Sequence, residues 1–498
     1  MGIIIALIVM LIAGPVMAQD ASLIDILQKK GILSREEAQK VSNGGKDGEQ
    51  VLINILKAKG ILDEKDVVQL KPPAAVVVAP APVTTPGAAT VAAPPVELNE
   101  RLTKLEQEVN KKPPFVAGYQ DGFFVRSADG NFSLRVGGRV SAHGLYEQED
   151  TSQNDSLFMD RVRFYLEGVL YKYWQYKVET DFTSSTGLRD AFLNFTYFPQ
   201  ANLQIGQYKV PFSYEALLSK RYLDLVERSA VTLSTVNPSR DIGFMLHGRM
   251  AEGLFSYQLA VLNGAGQNRS DNNSDKDVAA RFVLAPFTAN KDSALASLNV
   301  GGAVTYGHQP KGKSIAGLSP TGFEFFRAVD VRGERLRTGG HLAWFNGPFS
   351  LSGEYIYTSE EREKQGKSQQ DLSDFVTMGG YIGGTWLLTG EKKIFNRPNR
   401  PLSILLDPTA ANLAGLGSWE LAARYETFSL DDEGGTGKLG ALKRNSLDAA
   451  RVGLNWYPNP WVRFSLEYMY GLYDDAKRSP RPGHHSVNSI LGRVQLEF

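Results

Sequence analysis

From Pro114 to its last residue the chain is written in short stretches that alternate apolar with polar side chains, and the polar phase is full of charge. In NFSLRVGGRV, Phe132, Leu134, Val136 and Val140 fall on one face, while Ser133, Arg135 and Arg139 fall on the other. In DRVRFYLEG, Val162, Phe164 and Leu166 oppose Arg161, Arg163, Tyr165 and Glu167. In WQYKVETDF, Tyr176, Val178 and Phe182 oppose Gln175, Lys177, Glu179 and Asp181. Side chains of a strand point alternately to its two faces, so a period of two specifies strands with one greasy and one charged side. WELAARYE, VGLNWY and WVRFSLEYMYG repeat the pattern, and RVQLEF ends the chain on it at Phe498.

A soluble sheet could solvate such a charged face, so the connections have to decide. Aromatic residues cluster beside tight turns: Tyr171, Tyr173 and Trp174; Trp344, Phe345 and Phe349; Trp456, Tyr457 and Trp461. Long polar loops such as NGAGQNRSDNNSDKD lie between other strands. Aromatic girdles, short turns at one end and long loops at the other are the marks of an outer-membrane barrel. Because a bilayer forbids unpaired backbone groups, strands cross it only as a closed barrel. The stretch after Pro114, at roughly 24 residues per strand and connection, predicts an all-β transmembrane barrel of about 16 antiparallel strands. Its apolar face would meet outer-membrane lipid and its charged face would line the lumen. The terminal Phe498 resembles the closing aromatic of such barrels.

Composition removes other classes. Lys+Arg and Asp+Glu balance at 54 each, which argues against a nucleic-acid partner. With no cysteine there is neither a disulfide framework nor a thiolate metal site. Of six histidines, only the adjacent His484 and His485 are close in sequence, so no metal, cofactor or catalytic constellation is expected. No second run of about 18 apolar residues suggests a membrane-spanning helix.

The first 113 residues read differently. Residues 1–18 resemble a secretory signal peptide, with an apolar run from Ile3 to Ile12 and a cleavage site after Ala18. LIDILQKKGILSREEAQKV and LINILKAKGILDEKDVVQL repeat after 29 residues, predicting two helical hairpins within residues 19–70. Residues 71–96 are a Pro/Ala-rich linker. In residues 97–112, Leu98, Leu102, Leu105 and Val109 keep heptad spacing, predicting a short coiled-coil helix that is useful only if copies meet. This α-helical extension would lie in the periplasm, where it could touch peptidoglycan or a periplasmic partner.

Several stretches also resemble the phosphate-selective porin family, porins O and P. They are GGR at 137–139, RFYLEG at 163–168, IGQYKVPFSYEALLSKRYLDLVERS from Ile205, VLNGAGQN, LLTGE and VGLNWYPNPWVRFSLEY. The resemblance runs from about Phe115 to Phe498. It implies a trimeric, 16-stranded porin whose lumen carries arginines leading to an anion-binding constriction. Carried over position by position, Arg139 matches the arginine of the GGR strand and Arg163 the second of a pair whose first falls on Val162, beside Arg161. Arg221 falls on a constriction lysine and Asp190 on a nearby aspartate. Arg135, Arg139, Arg161, Arg163 and Lys177 share the polar phase of adjoining strands. The expected solute is phosphate or another small anion, because a guanidinium offers a planar fork to two oxygens. A non-selective porin, with these cations in cross-strand pairs, and a tether to the cell wall are the alternatives.

Overall fold

The computed structural model describes residues 114–498, apart from 184–186, 236–238, 272, 398, 406–414, 432–439 and 441, with a few isolated positions earlier. The signal peptide, hairpin repeats, linker and coiled-coil helix expected within residues 1–112 lie outside this described part. The strands are β1 (Phe115–Tyr119), β2 (Phe123–Ser127), β3 (Ser133–Glu147), β4 (Ser156–Leu170), β5 (Trp174–Asp181), β6 (Leu188–Phe198) and β7 (Ala201–Lys209). They continue as β8 (Arg240–Met250), β9 (Phe255–Leu262), β10 (Asp277–Leu284), β11 (Asn299–Lys313), β12 (Gly317–Leu318) and β13 (Glu324–Phe326). The last are β14 (Asp330–Asn346), β15 (Phe349–Arg362), β16 (Leu372–Leu387), β17 (Ser418–Asp431), β18 (Asn445–Tyr457), β19 (Val462–Tyr473) and β20 (Ser486–Glu497).

Strands β3–β11 and β14–β20 pair antiparallel with their neighbours in sequence, and β20 returns to β3 from Ser489↔Glu147 to Glu497↔Arg139. The result is a closed barrel of 16 strands. Below Arg139 the edge of β3 is taken over by β2, from Phe123↔Val136 to Arg126↔Ser133, so the β1–β2 hairpin prolongs the sheet where β20 ends. Phe498 exchanges backbone hydrogen bonds with Gly138 at 2.7 and 3.0 Å. A Cβ on Gly138 would lie 2.5 Å from the Phe498 ring, and one on Gly137 would lie 2.3 Å from the Tyr165 hydroxyl. The two glycines make room for the closing residue and for an inward tyrosine.

Alternation is obeyed: Val494 and Leu496 are about half exposed on the outer wall, while Arg493 and Gln495 between them are buried inside. Trp174, Trp386 and Trp461 are exposed near the turn end. Two aromatics expected in the girdle have the inward phase instead. Tyr457 Oη donates to Glu420 Oε2 (2.9 Å), and the Phe345 ring packs 5.8 Å from Phe395.

The division into short turns and long loops also breaks at two places. Residues 285–298 and 388–417 join strands at the turn end, yet both are long. The second is long because part of it enters the barrel, where Lys393 binds Asp224 (2.8 Å) and Glu420.

Nor is the interior charged throughout. The β7–β8 connection folds inward and carries two short helices, α1 (Tyr214–Leu217) and α2 (Ala230–Thr235). The β11–β14 connection, with β12 and β13, follows it. Phe325, Phe326, Val226 and Val231 from these segments pack against inward Phe375, Phe428, Leu447, Met469 and Leu491 of β16–β20. Toward the loop end this side of the lumen is a hydrophobic core, because the inward residues there are apolar and two loops cover them; nearer the turn end the same strands turn Arg424, Glu426, Arg451 and Glu467 inward.

Candidate functional site

The wall and the infolded connection meet through charge. Glu354 of β15 accepts Ser213 Oγ (3.0 Å) and the N–H groups of Tyr214 (2.7 Å) and Glu215 (3.1 Å), capping α1. Glu467 accepts Val226 N (2.7 Å), and Glu426 accepts Ala230 N (3.2 Å). Arg424 pairs with Glu215 (2.6 Å), and Arg451 with both Glu467 (2.6 Å) and Glu426 (3.0 Å). The carboxylates of β15–β19 are thus occupied in holding the connection down. A chain with balanced charge thereby separates it in space, leaving an excess of cations on the opposite face of the connection.

That face closes a cavity of about 420 Å³ against β3–β9. Strands β3–β5 contribute Arg139, Arg161, Arg163 and Lys177; β6–β8 contribute Arg189, Lys209 and Arg240; the connection adds Lys220, Arg221 and Arg228. Against these ten cations the lining includes two carboxylates, Glu179 and Asp190. A second cavity of about 480 Å³ begins one residue further along at Val210 and Asp241, toward the loop end. There Arg269, Lys311, Arg335 and Arg337 face Asp241, Asp277 and Glu360, with Arg335 paired to Asp277 at 2.5 Å.

Six of the seven residues singled out from the sequence line the first cavity: Arg139, Arg161, Arg163, Lys177, Asp190 and Arg221. Arg135 does not; it lies nearer the turn end, 3.4 Å from Glu167, on a separate recess. Most of the six are paired. Arg163 holds Asp181 and Glu179, each at 2.8 Å, and Lys177 holds Glu179 at 3.2 Å. Asp190 takes Arg240 at 2.6 Å, and Arg221 reaches Glu497 at 3.0 Å. Arg139 differs. It stands directly opposite Arg163 across the β3–β4 ladder, a costly juxtaposition of like charges. Buried, it leaves Nε and Nη2 without a hydrogen-bond partner among the described residues.

Five cations of the cavity were not expected: Arg189, Lys209, Lys220, Arg228 and Arg240. Arg189 is hidden by a bulge. Its strand steps from Glu179↔Asp190 to Thr180↔Leu188, so Arg189 is the extra residue and joins Asp190 inside. Asp160 is the counterpart in β4, where the register jumps from Ser141↔Arg161 to Ala142↔Met159. Strict alternation sends both residues to lipid, and a charge in that phase was the signal available. Lys209 donates to the carbonyls of Leu217 (3.0 Å) and Leu218 (2.8 Å), and Arg228 to those of Glu215 (3.3 Å) and Leu218 (3.0 Å). Neither forms an ion pair with a carboxylate among the described residues.

His143, Asp160 and Glu227 bring possible ligand atoms within 4.8 Å of one another. Lys220 Nζ already occupies this position, 2.9 Å from Asp160 and bonded to Glu227, so the trio is neutralised by an internal cation.

A model of the family described as phosphate-selective porin O and P matches residues 132–498. Porin O of Pseudomonas aeruginosa is 24% identical over 416 residues, 76% of this chain and 91% of that protein. Among solved structures, the trimer form of OmpT from Vibrio cholerae covers 74% of this chain and 99% of its own, at 11% identity and a TM-score of 0.49. An anion-selective porin from Comamonas acidovorans covers 74% and 100%, at 11% identity and a TM-score of 0.45.

Proposed function

The chain belongs to the phosphate-selective porin O and P family, and from that premise we propose that it passes small anions, phosphate and related oxyanions first, through the cationic cavity beside β3–β9. It is an outer-membrane porin, and members of its family are channels rather than enzymes. The observation that carries the anion preference is a lining of ten cations and two carboxylates, an excess that remains when Asp160, Asp181, Glu227 and Glu497 behind it are counted. Fixed charges of one sign in a low-dielectric constriction concentrate the opposite ion. Two cavities in series suit passage better than one deep trap, since conduction needs sites that bind moderately and release.

Arg139, Arg161, Arg163, Lys177, Asp190 and Arg221 have separate parts in this reading. Arg139, having no carboxylate, offers its fork to a passing oxyanion. Arg161, Arg163 and Lys177 supply field while their own partners keep them in place. Asp190 moderates the site through Arg240, and Arg221 marks the exit toward the turn end. Arg135 serves the mouth beneath. Assembly as a homotrimer, export directed by residues 1–18, and a periplasmic extension made of the hairpins of 19–70, the linker 71–96 and the helix 97–112 complete the proposal. The heptad spacing in 97–112 supports association of copies.

The test is the reversal potential of the purified channel in a planar bilayer under a potassium chloride gradient. It should take the sign of chloride permeation; potassium preference would remove the proposal. Replacing Arg139 with glutamine leaves no carboxylate orphaned, and should raise the phosphate concentration that half-blocks chloride current by about tenfold, the loss of a charge-assisted hydrogen bond.

A further inference from the structure

The cavity described above carries more than charge, and this inference rests on the reading of it as an anion path. Further round the wall, Phe192 of β6, Tyr208 of β7 and Met245 of β8 pack on one another and line the same space. Leu217 of α1 joins them from the connection. All three wall residues hold the inward phase of their strands, between polar neighbours such as Asp190, Gln204 and Asp241. A path for bare oxyanions has no use for an apolar bank, because an oxyanion gains nothing from contact with it and loses water beside it.

Polar groups beside this bank lack hydrogen-bond partners among the described residues. Arg139 has two nitrogens without an acceptor, and Arg189 has its Nε likewise. Tyr208, almost wholly buried, leaves its hydroxyl unpaired. Buried polar groups are rarely left so unless a ligand or water completes them. The volume, about 420 Å³, falls within the range of roughly 300–1,000 Å³ found for sites that hold organic ligands.

We propose that the cavity is built for small organic anions, a phosphate or carboxylate group carried on an apolar or aromatic body, rather than for inorganic oxyanions alone. The anionic head sits at Arg139 and Arg189, the body lies against Phe192 and Met245, and the Tyr208 hydroxyl is free to donate to a polar atom of the body. Recognition of this form combines a few placed polar groups with an apolar wall.

Block of chloride current in planar bilayers by three probes tests the proposal with the full chain. Inorganic phosphate, methyl phosphate and phenyl phosphate are compared at a pH above the second ionisation of each, so that their charge is the same. Phenyl phosphate should half-block at about tenfold lower concentration than either of the others. The double variant Phe192→Ser/Met245→Ser should remove that advantage while leaving the block by inorganic phosphate unchanged. Equal block by all three probes in the native channel overturns the organic-anion assignment, with no variant needed. Weaker block by phenyl phosphate than by inorganic phosphate does the same. Should no probe block a channel that prefers potassium, the failure lies in the anion reading beneath.

Discussion

Two residues show what alternation alone cannot give. Asp160 and Arg189 both stand at bulges that turn them inward, and both take part in the charge balance of the cavity. Burial pushes the Lys220 ammonium down to about 8; Glu227 and then Asp160 support its charge, while Arg161 and Arg493 oppose it. Below that pH Lys220 is charged and pairs with Asp160 and Glu227; above it the cavity loses one cation, Glu227 loses its ammonium partner and Asp160 keeps Arg161 at 3.0 Å. Anion over cation permeability should therefore fall as the pH is raised through 8. Lys220→Arg, which stays charged, should flatten the profile, and reversal potentials measured at pH 6 and 9 decide it. Arg139, Arg161, Arg163 and Lys177 were legible in the sequence because their strands keep the period of two, whereas Asp190 and Arg221 came only with the family resemblance. The bulged Arg189 was not, and neither were Lys220 and Arg228, which ride on a connection whose path no local pattern encodes.

At the scale of elements, the infolded β7–β8 connection is gripped from the wall and also from the turn end. Lys393 reaches Asp224 and Glu420, and Asn396 Oδ1 accepts the Ser219 N–H at 2.9 Å. Substituting Lys393 with methionine strands two acidic groups, a loss of about 3–5 kcal/mol for a buried pair. The expected result is frequent closures in single-channel records with the barrel intact by circular dichroism; a quiet current would show that the connection holds without this tie. The two glycines of β3 make a second case. Gly137→Ala pushes a Cβ into the Tyr165 hydroxyl, beneath a ring that Arg221 overlies at 5.4 Å and Lys177 at 5.6 Å. A lower unfolding temperature in detergent, accompanied by altered phosphate block, is expected; normal block would separate Tyr165 from the site. The strands themselves were legible, down to the closing RVQLEF. The long 388–417 connection was not, since its composition carries no sign of the lumen.

For the whole molecule, charge and grease are divided twice. The outer wall meets lipid, and inside, an apolar core at the loop end of β16–β20 stands apart from the cationic passage beside β3–β9. Phe326→Ala should therefore cost about 3–5 kcal/mol, as for other large core truncations, and lower the unfolding temperature. It should leave ion selectivity unchanged, because the residue lies apart from the lining of the first cavity. A shifted reversal potential would show that core and passage are coupled. Sequence reading foresaw the cylinder and its charged interior, but gave the interior one character, because inward Phe375, Phe428 and Leu447 look like any strand residues until the loops that cover them are placed.

Strand β20 does two jobs at once: its Leu491 and Val487 belong to the inner core, and its backbone zips onto β3. The strand that closes the cylinder therefore also furnishes its interior, and a weakened β3–β20 seam would loosen the packing of the loop-end connections along with the wall.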